Sequence, residues 1–228
     1  DGPYLPLERN TGTSVGLRTA HPRWGLEGEL WGRRLQDVVG FEGDGTLQGF
    51  RMRAAGIETR AWARSGRLNG ELIYQYTASQ AAGEPGDAYR SIRFEQPHRL
   101  VALLSARLPR DWAVGARFRY SSGVPIPTNT ITAYDILRQQ EITTEATPGG
   151  RLPPYHALDV RISRPFTFKH WKLNAFLDVQ NVYNRRIPEP AINGIDETLL
   201  VYSYGLPTLP LFGVDAEFWP RRKRDSGE

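Results

Sequence analysis

The sequence predicts an all-β fold whose antiparallel strands follow one another up and down, and three observations lead to it. Nine segments show one face of alternate residues that carries no charge. The connectors between them alternate short and long. Aromatic residues gather at the segment ends. Because side chains along a strand alternate sides, a period of two assigns every residue to one face or the other. The clearest case starts at Trp171, where Leu173, Ala175, Leu177 and Val179 share one side and Lys172, Asn174, Asp178 and Gln180 the other.

In chain order the strands are expected near residues 12–20, 24–35, 51–64, 67–78, 98–108, 112–121, 155–163, 171–184 and 208–219. The charge-free faces hold Leu26, Gly28 and Leu30, then Ala55, Ile57, Thr59, Ala61 and Ala63, then Leu68, Gly70, Leu72 and Tyr74. They continue with Leu100, Ala102, Leu104 and Ala106, with Val114, Ala116 and Phe118, and with Leu158, Val160 and Ile162. Phe212, Val214, Ala216 and Phe218 complete the set. The opposite faces carry Glu27, Glu29, Arg33, Glu58, Arg60, Glu71, Arg107, Arg117, Arg119, Asp159, Arg161, Asp215 and Glu217. The first, third, fifth and seventh connectors are HPR, SG, PRD and RPFTFKH. Those on the other side are longer, polar and rich in Gly and Pro: GFEGDGTLQG, Ser79 to Pro97, and Ser122 to Pro154. Short turns on one side and long loops on the other imply a meander. Within the last loop, ITAYDILRQQEITTE reads as an extended hairpin or a short helix.

Composition narrows the chemistry. The chain has 228 residues, six Trp, ten Tyr, one Met and no Cys, with a formal charge of +4. Lack of Cys removes disulfides, thiolate metal sites and cysteine nucleophiles. Four His sit at strand ends, His98 and His156 on the loop side, His21 and His170 on the turn side, which argues against a three-His metal centre. His156 and Asp159 are three apart on one strand and so point to opposite faces. No glycine-rich phosphate loop is present, no catalytic residue is assigned, and neither a metal nor a cofactor is expected. Arg221, Arg222, Lys223 and Arg224 read as a solvated tail, not a nucleic-acid patch. No apolar run approaches the length of a spanning helix. A start at Asp1 is expected of a mature product or a fragment.

Alternation alone fits two environments for the apolar face, the core of a soluble β-sandwich or lipid. Aromatic placement favours lipid. Trp24, Trp112, Trp171 and Trp219 mark the turn-side level, and Tyr76, Tyr120 and Tyr183 mark the loop-side level. Such side chains have an apolar body and a polar tip and concentrate at the boundary between hydrocarbon and headgroups. Two aromatic levels around a charge-free band are the pattern of a transmembrane β-barrel, with short periplasmic turns and long extracellular loops.

The residues also resemble a known family. GRLPPYHALDVRIS at 150–163, WKLNAFLDVQNVYNRR at 171–186 and GLPTLPLFGVDAEF at 205–218 are similar to the C-terminal end of TonB-dependent outer-membrane receptors. The family's Y-x-x-L-D-x-R strand is matched by Tyr155, Leu158, Asp159 and Arg161. Its L-x-V-x-N-x-x-N strand is matched by Leu177, Val179, Asn181 and Asn184. AAGIETRAWAR at 54–64 and the run from His98 to Pro125 agree in order and spacing. The resemblance implies the C-terminal portion of a barrel of about 22 strands that closes around a plug. Residues 1–219 are then barrel strands with their turns and loops, and residues 220–228 a basic tail.

It further implies a receptor in the outer membrane of a Gram-negative bacterium, taking up an iron chelate, cobalamin or glycan with energy from the TonB complex. The implied partners are outer-membrane lipid, the barrel-assembly machinery, the energy-coupling complex acting through a plug domain outside this chain, and a small-molecule nutrient. Nucleic acid is not among them. Phe218 resembles the terminal aromatic read by the assembly machinery, although here the chain runs on to Glu228. Candidate ligand contacts are Trp31, Tyr89, Tyr134, Arg117 and Arg119, the two arginines having lumen ion pairing as their other role. A plain outer-membrane pore and a soluble glycan-binding sandwich are the alternatives.

Overall fold

The computed structural model describes residues 8–41, 47–83, 86–92, 95–125, 130–135, 140–145, 150–186, 188–192, 200–204 and 206–219. The strands are β1 (Arg9–His21), β2 (Trp24–Phe41), β3 (Leu47–Ser65), β4 (Leu68–Ala82), β5 (Arg90–Ser91), β6 (His98–Arg107) and β7 (Ala113–Ser121). They are followed by β8 (Thr130–Asp135), β9 (Gln140–Glu145), β10 (Tyr155–Thr167), β11 (Trp171–Gln180), β12 (Pro188–Ile192), β13 (Leu200–Tyr204) and β14 (Leu209–Phe218). One antiparallel sheet runs β1-β2-β3-β4-β6-β7-β10-β11-β14, with β5 on the end of β4. Hairpins β8-β9 and β12-β13 fill two of the long connections.

All nine expected strands form, and their register keeps the two faces apart across the sheet. One row reads Val15, Leu30, Ile57, Tyr76 and His98. Another reads Leu72, Ala102, Phe118 and Leu158. Leu177 stands opposite both Ile162 and Phe212. Among the described residues nothing covers this side: Leu17 is 85% exposed and Phe212 90%. Among the described residues only Ala82, Leu152 and Ala157 are buried apolar side chains. A sandwich needs a second sheet against its apolar face to make a core. Here there is a single layer without one.

The opposite face is concave and polar. A cavity of about 900 Å³ is lined by Arg18 of β1, Glu27 of β2, Arg60, Glu71, Arg117, Asp159, Arg161 and Asp178 of β11. The sheet therefore curls with its charges inward. Arg18, Glu27, Arg60 and Glu71 form a chain of ion pairs across four strands at 3.1, 3.9 and 2.6 Å.

Several boundaries differ from the sequence expectation. The glycine-rich run GFEGDGTLQG reads as a loop, yet Phe41 pairs with Leu47 and Val39 with Gly49, so β2 and β3 rise well past the apolar band. The ladder tolerates glycine when its neighbour supplies the partners. A bulge between Leu35 and Val38, with Asp37 at φ 56°, absorbs the change of register. Of the ITAYDILRQQEITTE segment, the described residues form strands β8 and β9, paired as a hairpin. β11 ends at Gln180 and not at Asn184, because Asn181 and Asn184 both take left-handed backbone, at φ 49° and 52°. Asn tolerates that conformation better than other side chains. The β12-β13 hairpin has no counterpart in the sequence reading. The basic tail 220–228 lies outside the described residues.

Candidate functional site

The inner wall is organised around Asp159, which is only 5% exposed. Antiparallel pairing places Asp159 of β10 opposite Arg117 of β7, with Arg119 two residues further along the same face. Arg117 donates to the carboxylate through Nε and Nη2 at 3.0 and 2.9 Å, and Arg119 through Nη2 at 2.9 Å. The second oxygen accepts the Asn181 N–H at 3.0 Å. A buried carboxylate is tolerable because all its bonds come from charged or backbone donors. Arg117 is about half exposed and lines the cavity, and Arg119 is 37% exposed. Two cations share one carboxylate, so the knot keeps a positive surplus facing the lumen.

Asn181 explains the asparagine motif at the end of β11. Its side chain donates to the carbonyls of Arg185 and Leu206 and accepts the Arg185 N–H, while its own carbonyl accepts the Thr208 hydroxyl. Asn184 accepts the Thr208 N–H at 3.1 Å. The two asparagines thus fasten the exit of β11 to the entry of β14. Neither separation, 22 residues from Asp159 to Asn181 nor 27 from Asn181 to Thr208, can be read without the register.

A second knot lies at the loop side. Arg151 donates to the carbonyls of Glu95 and Gly123 and to the Glu95 carboxylate at 2.7 Å, and Glu95 also accepts the Ser79 N–H at 2.9 Å. One guanidinium therefore ties two loop-side connections together, Ser79 to Pro97 and both ends of Ser122 to Pro154. Burial works against ionisation of Glu95, but the Ser79 N–H and Arg151 outweigh it and hold its pKa below the usual carboxylate value. A side chain at Gly123 would overlap the Leu152 carbonyl, so that crossing requires glycine. Sequence reasoning missed this knot. The isolated arginine in GRLPP carries no periodic signal.

Three aromatic rings on the inner face lie flat over glycines of the adjacent strand: Trp31 on Gly56, Trp62 on Gly25 and Phe176 on Gly213. A Cβ on Gly56 would come within 2.8 Å of the Trp31 ring and also strike the Tyr76 carbonyl. Arg161 caps Phe176, its guanidinium 3.8 Å from the ring centre. Trp31 is thus on the lumen side, near neither arginine of the Asp159 knot. Tyr89 lies elsewhere, stacked 4.2 Å from the guanidinium of Arg53, a residue that shares the outward face with Ile57. Tyr134 is part of β8, and its side chain lies outside the described residues.

The aromatic levels of the outer face are built by contact as well as by position. On the turn side Trp24 stacks with His21, and Trp171 stacks with both Phe168 and Phe218 at 4.2 and 5.9 Å. Trp112 holds the guanidinium of Arg164 at 5.5 Å, and the Trp219 N–H donates to the His170 carbonyl at 2.9 Å. On the loop side the histidines join the tyrosines. His98 bonds the Tyr74 hydroxyl and packs on Tyr76; His156, opposite Tyr120, bonds the Tyr183 hydroxyl at 2.7 Å.

Neither a family model nor a curated protein sequence matches the chain. Solved structures do. The ferric citrate transporter FecA superposes with a TM-score of 0.69 at 15% identity, over 91% of this chain and 31% of its own. The ferripyoverdine receptor of the outer membrane of Pseudomonas aeruginosa gives 0.65 at 13% identity, over 91% and 27%. The FrpB iron transporter from Neisseria meningitidis gives 0.63 at 16%, over 91% and 30%. The chain spans under a third of the length of each. The single curled layer, the uncovered apolar face and these superpositions together give this chain the fold of a TonB-dependent receptor barrel.

Proposed function

We propose that these 228 residues form the C-terminal part of the barrel of a TonB-dependent receptor in the outer membrane of a Gram-negative bacterium, serving energy-coupled uptake of an iron chelate. The observation that carries the reading is a nine-strand layer whose apolar band is covered by no described residue while its concave face is charged. An exposed apolar surface of that extent belongs against lipid. The iron-chelate class is favoured because the structural neighbours are described as a ferric citrate transporter, a ferripyoverdine receptor and an iron transporter. The positive surplus at Arg117 and Arg119 suits an anionic chelate, since the Nη1 of Arg117 takes no part in binding Asp159. Trp31 offers an apolar ring on the same lumen face. Tyr134 is a loop contact, and Tyr89 meets ligand only where the loop side folds over the rim. Short turns face the periplasm, long loops face outside, and coupling passes through a plug domain beyond these residues. Phe218, paired with Trp171 on β14, serves as the assembly signal.

The test is uptake of radiolabelled iron chelates by cells grown under iron limitation, with and without the gene and with and without the energy-coupling complex. Uptake is expected to require both. Arg117→Gln alone, which leaves Arg119 and the Asn181 N–H on Asp159, is expected to weaken it severalfold at low substrate while leaving the protein in the membrane. Unchanged uptake of every chelate on deletion would refute the transport reading.

A further inference from the structure

On the turn side of the Asp159 knot the inner wall carries a second level of cations, and these lack the ion pairs of the first. The register sets the inner face in rows two residues apart. The row at Arg117 runs Glu71, Leu103, Arg117 and Asp159 across β4, β6, β7 and β10. The next row toward the turns is Asn69, Ser105, Gly115 and Arg161, and the one after it sets Arg107 opposite Ala113. Ser105, Gly115 and Ala113 thus leave a trough of small side chains between Arg117 and Arg107. Four residues of strand separate the two levels, about 13 Å at ~3.3 Å per residue. The Arg107 N–H bonds the Arg67 carbonyl at 2.9 Å, which brings the β3-β4 turn to the same height.

The trough ends in a recess of about 890 Å³ lined by Arg67, Arg107, Arg110 and Lys172, with Asp111 the one carboxylate among its described lining residues. Asn69 and Arg107 line both this recess and the cavity above it, so the two are continuous. In the upper cavity Arg60 is paired with Glu71, Arg117 with Asp159 and Arg161 with Asp178. Lys172 stands opposite Glu217. Arg67, Arg107 and Arg110 are exposed and make no ion pair among the described residues. The β6-β7 turn holds Arg110 in left-handed backbone, φ 61°, which Gly or Asn adopts more readily, so a guanidinium is kept at the recess at a conformational cost. A concave polar surface with one sign of charge in excess concentrates the opposite ion. Guanidinium forks match carboxylate or phosphate oxygens two at a time, so three of them around one recess suit a small anion with several such groups.

We propose that Arg67, Arg107 and Arg110 form a second anion site on the inner wall, at the turn-side end of the trough from Arg117, where a small polyanionic solute is held on its way to the periplasm. The role in passage rests on the transport reading; the site itself does not. The site is tested by arginine-selective labelling with phenylglyoxal of the protein purified from outer membranes, read residue by residue by mass spectrometry, with citrate or its neutral triethyl ester present. Citrate is expected to slow labelling of Arg67, Arg107 and Arg110 at least threefold and the ester to leave it unchanged, while Arg23, on the β1-β2 turn outside the recess, labels equally throughout. Equal labelling of the three with and without citrate, or protection by the ester, would overturn the site. R67Q/R110Q, with both changes at turn positions, is expected to abolish protection of Arg107; full protection in that variant would overturn the joint site. The same variant should lower the rate of chelate uptake severalfold without weakening chelate binding, and an unchanged rate would overturn the role in passage. Protection of the three arginines in a wild-type protein that takes up no chelate would overturn the transport reading and keep the site.

Discussion

Replacing Asp159 with Ala tests whether the inner wall is held by a buried knot or by its strand ladder alone. The substitution removes the acceptor for three guanidinium bonds and one backbone N–H, and leaves Arg117 and Arg119 side by side. Breaking a fully buried ion pair costs about 3–5 kcal/mol. Both arginines are already partly exposed and regain water, which lowers the expected loss to about 2–3 kcal/mol. The matched comparison is Asp178→Ala, whose partner Arg161 is 3.8 Å away with its side chain 45% exposed. That loss should stay under about 1 kcal/mol. The assay is the denaturant midpoint of the detergent-solubilised protein, followed by tryptophan fluorescence, with the slope checked for constancy. Equal shifts for the two variants, or less than about 0.5 kcal/mol for Asp159→Ala, would refute the reasoning.

Three further outcomes are expected. Leu177→Arg puts a charge on the outward face at a cost of about 2–4 kcal/mol near the midplane, so heat-modifiable barrel in the membrane fraction should fall sharply while Lys172→Arg, on the inner face, leaves it unchanged. Gly56→Val should drive the Trp31 ring off the wall at about 1–3 kcal/mol and shift its fluorescence; an unchanged spectrum would argue against the flat ring. Because the folded Glu95 pKa lies below its ordinary 4.5, its contribution is complete above that value and is lost as pH falls through the folded pKa. Protection of the Ser79 amide from hydrogen exchange should thus be complete above 4.5 and be lost only as pH falls below it, with Arg151→Ala moving that onset to higher pH.

Much of the fold was legible because a strand sorts residues by parity, and parity survives in the sequence. Leu173, Ala175 and Leu177 name their side without any knowledge of neighbouring strands. What parity cannot say is which residues of different strands meet. Arg117 and Asp159 were both readable as inward charges, but their pairing depends on the β7-β10 register. Their lumen ion-pairing role is the one the geometry displays. The seat of Trp31 on Gly56 is hidden for the same reason. Tyr89 was harder still: it lies in a connection where no period operates, and a stack on Arg53 decides its side. The extension of β2 and β3 past the band was masked by glycines that usually mark a turn.

The flat rings also govern how far the inner wall projects. A Trp side chain that stood upright from the wall would reach further inward than one laid against the backbone, and a missing Cβ on the next strand lets it lie down. At these three places the height of the inner wall is thus set by Gly25, Gly56 and Gly213 rather than by the aromatic residues above them. That height can change through a single methyl group on one strand, with the aromatic on its neighbour left untouched.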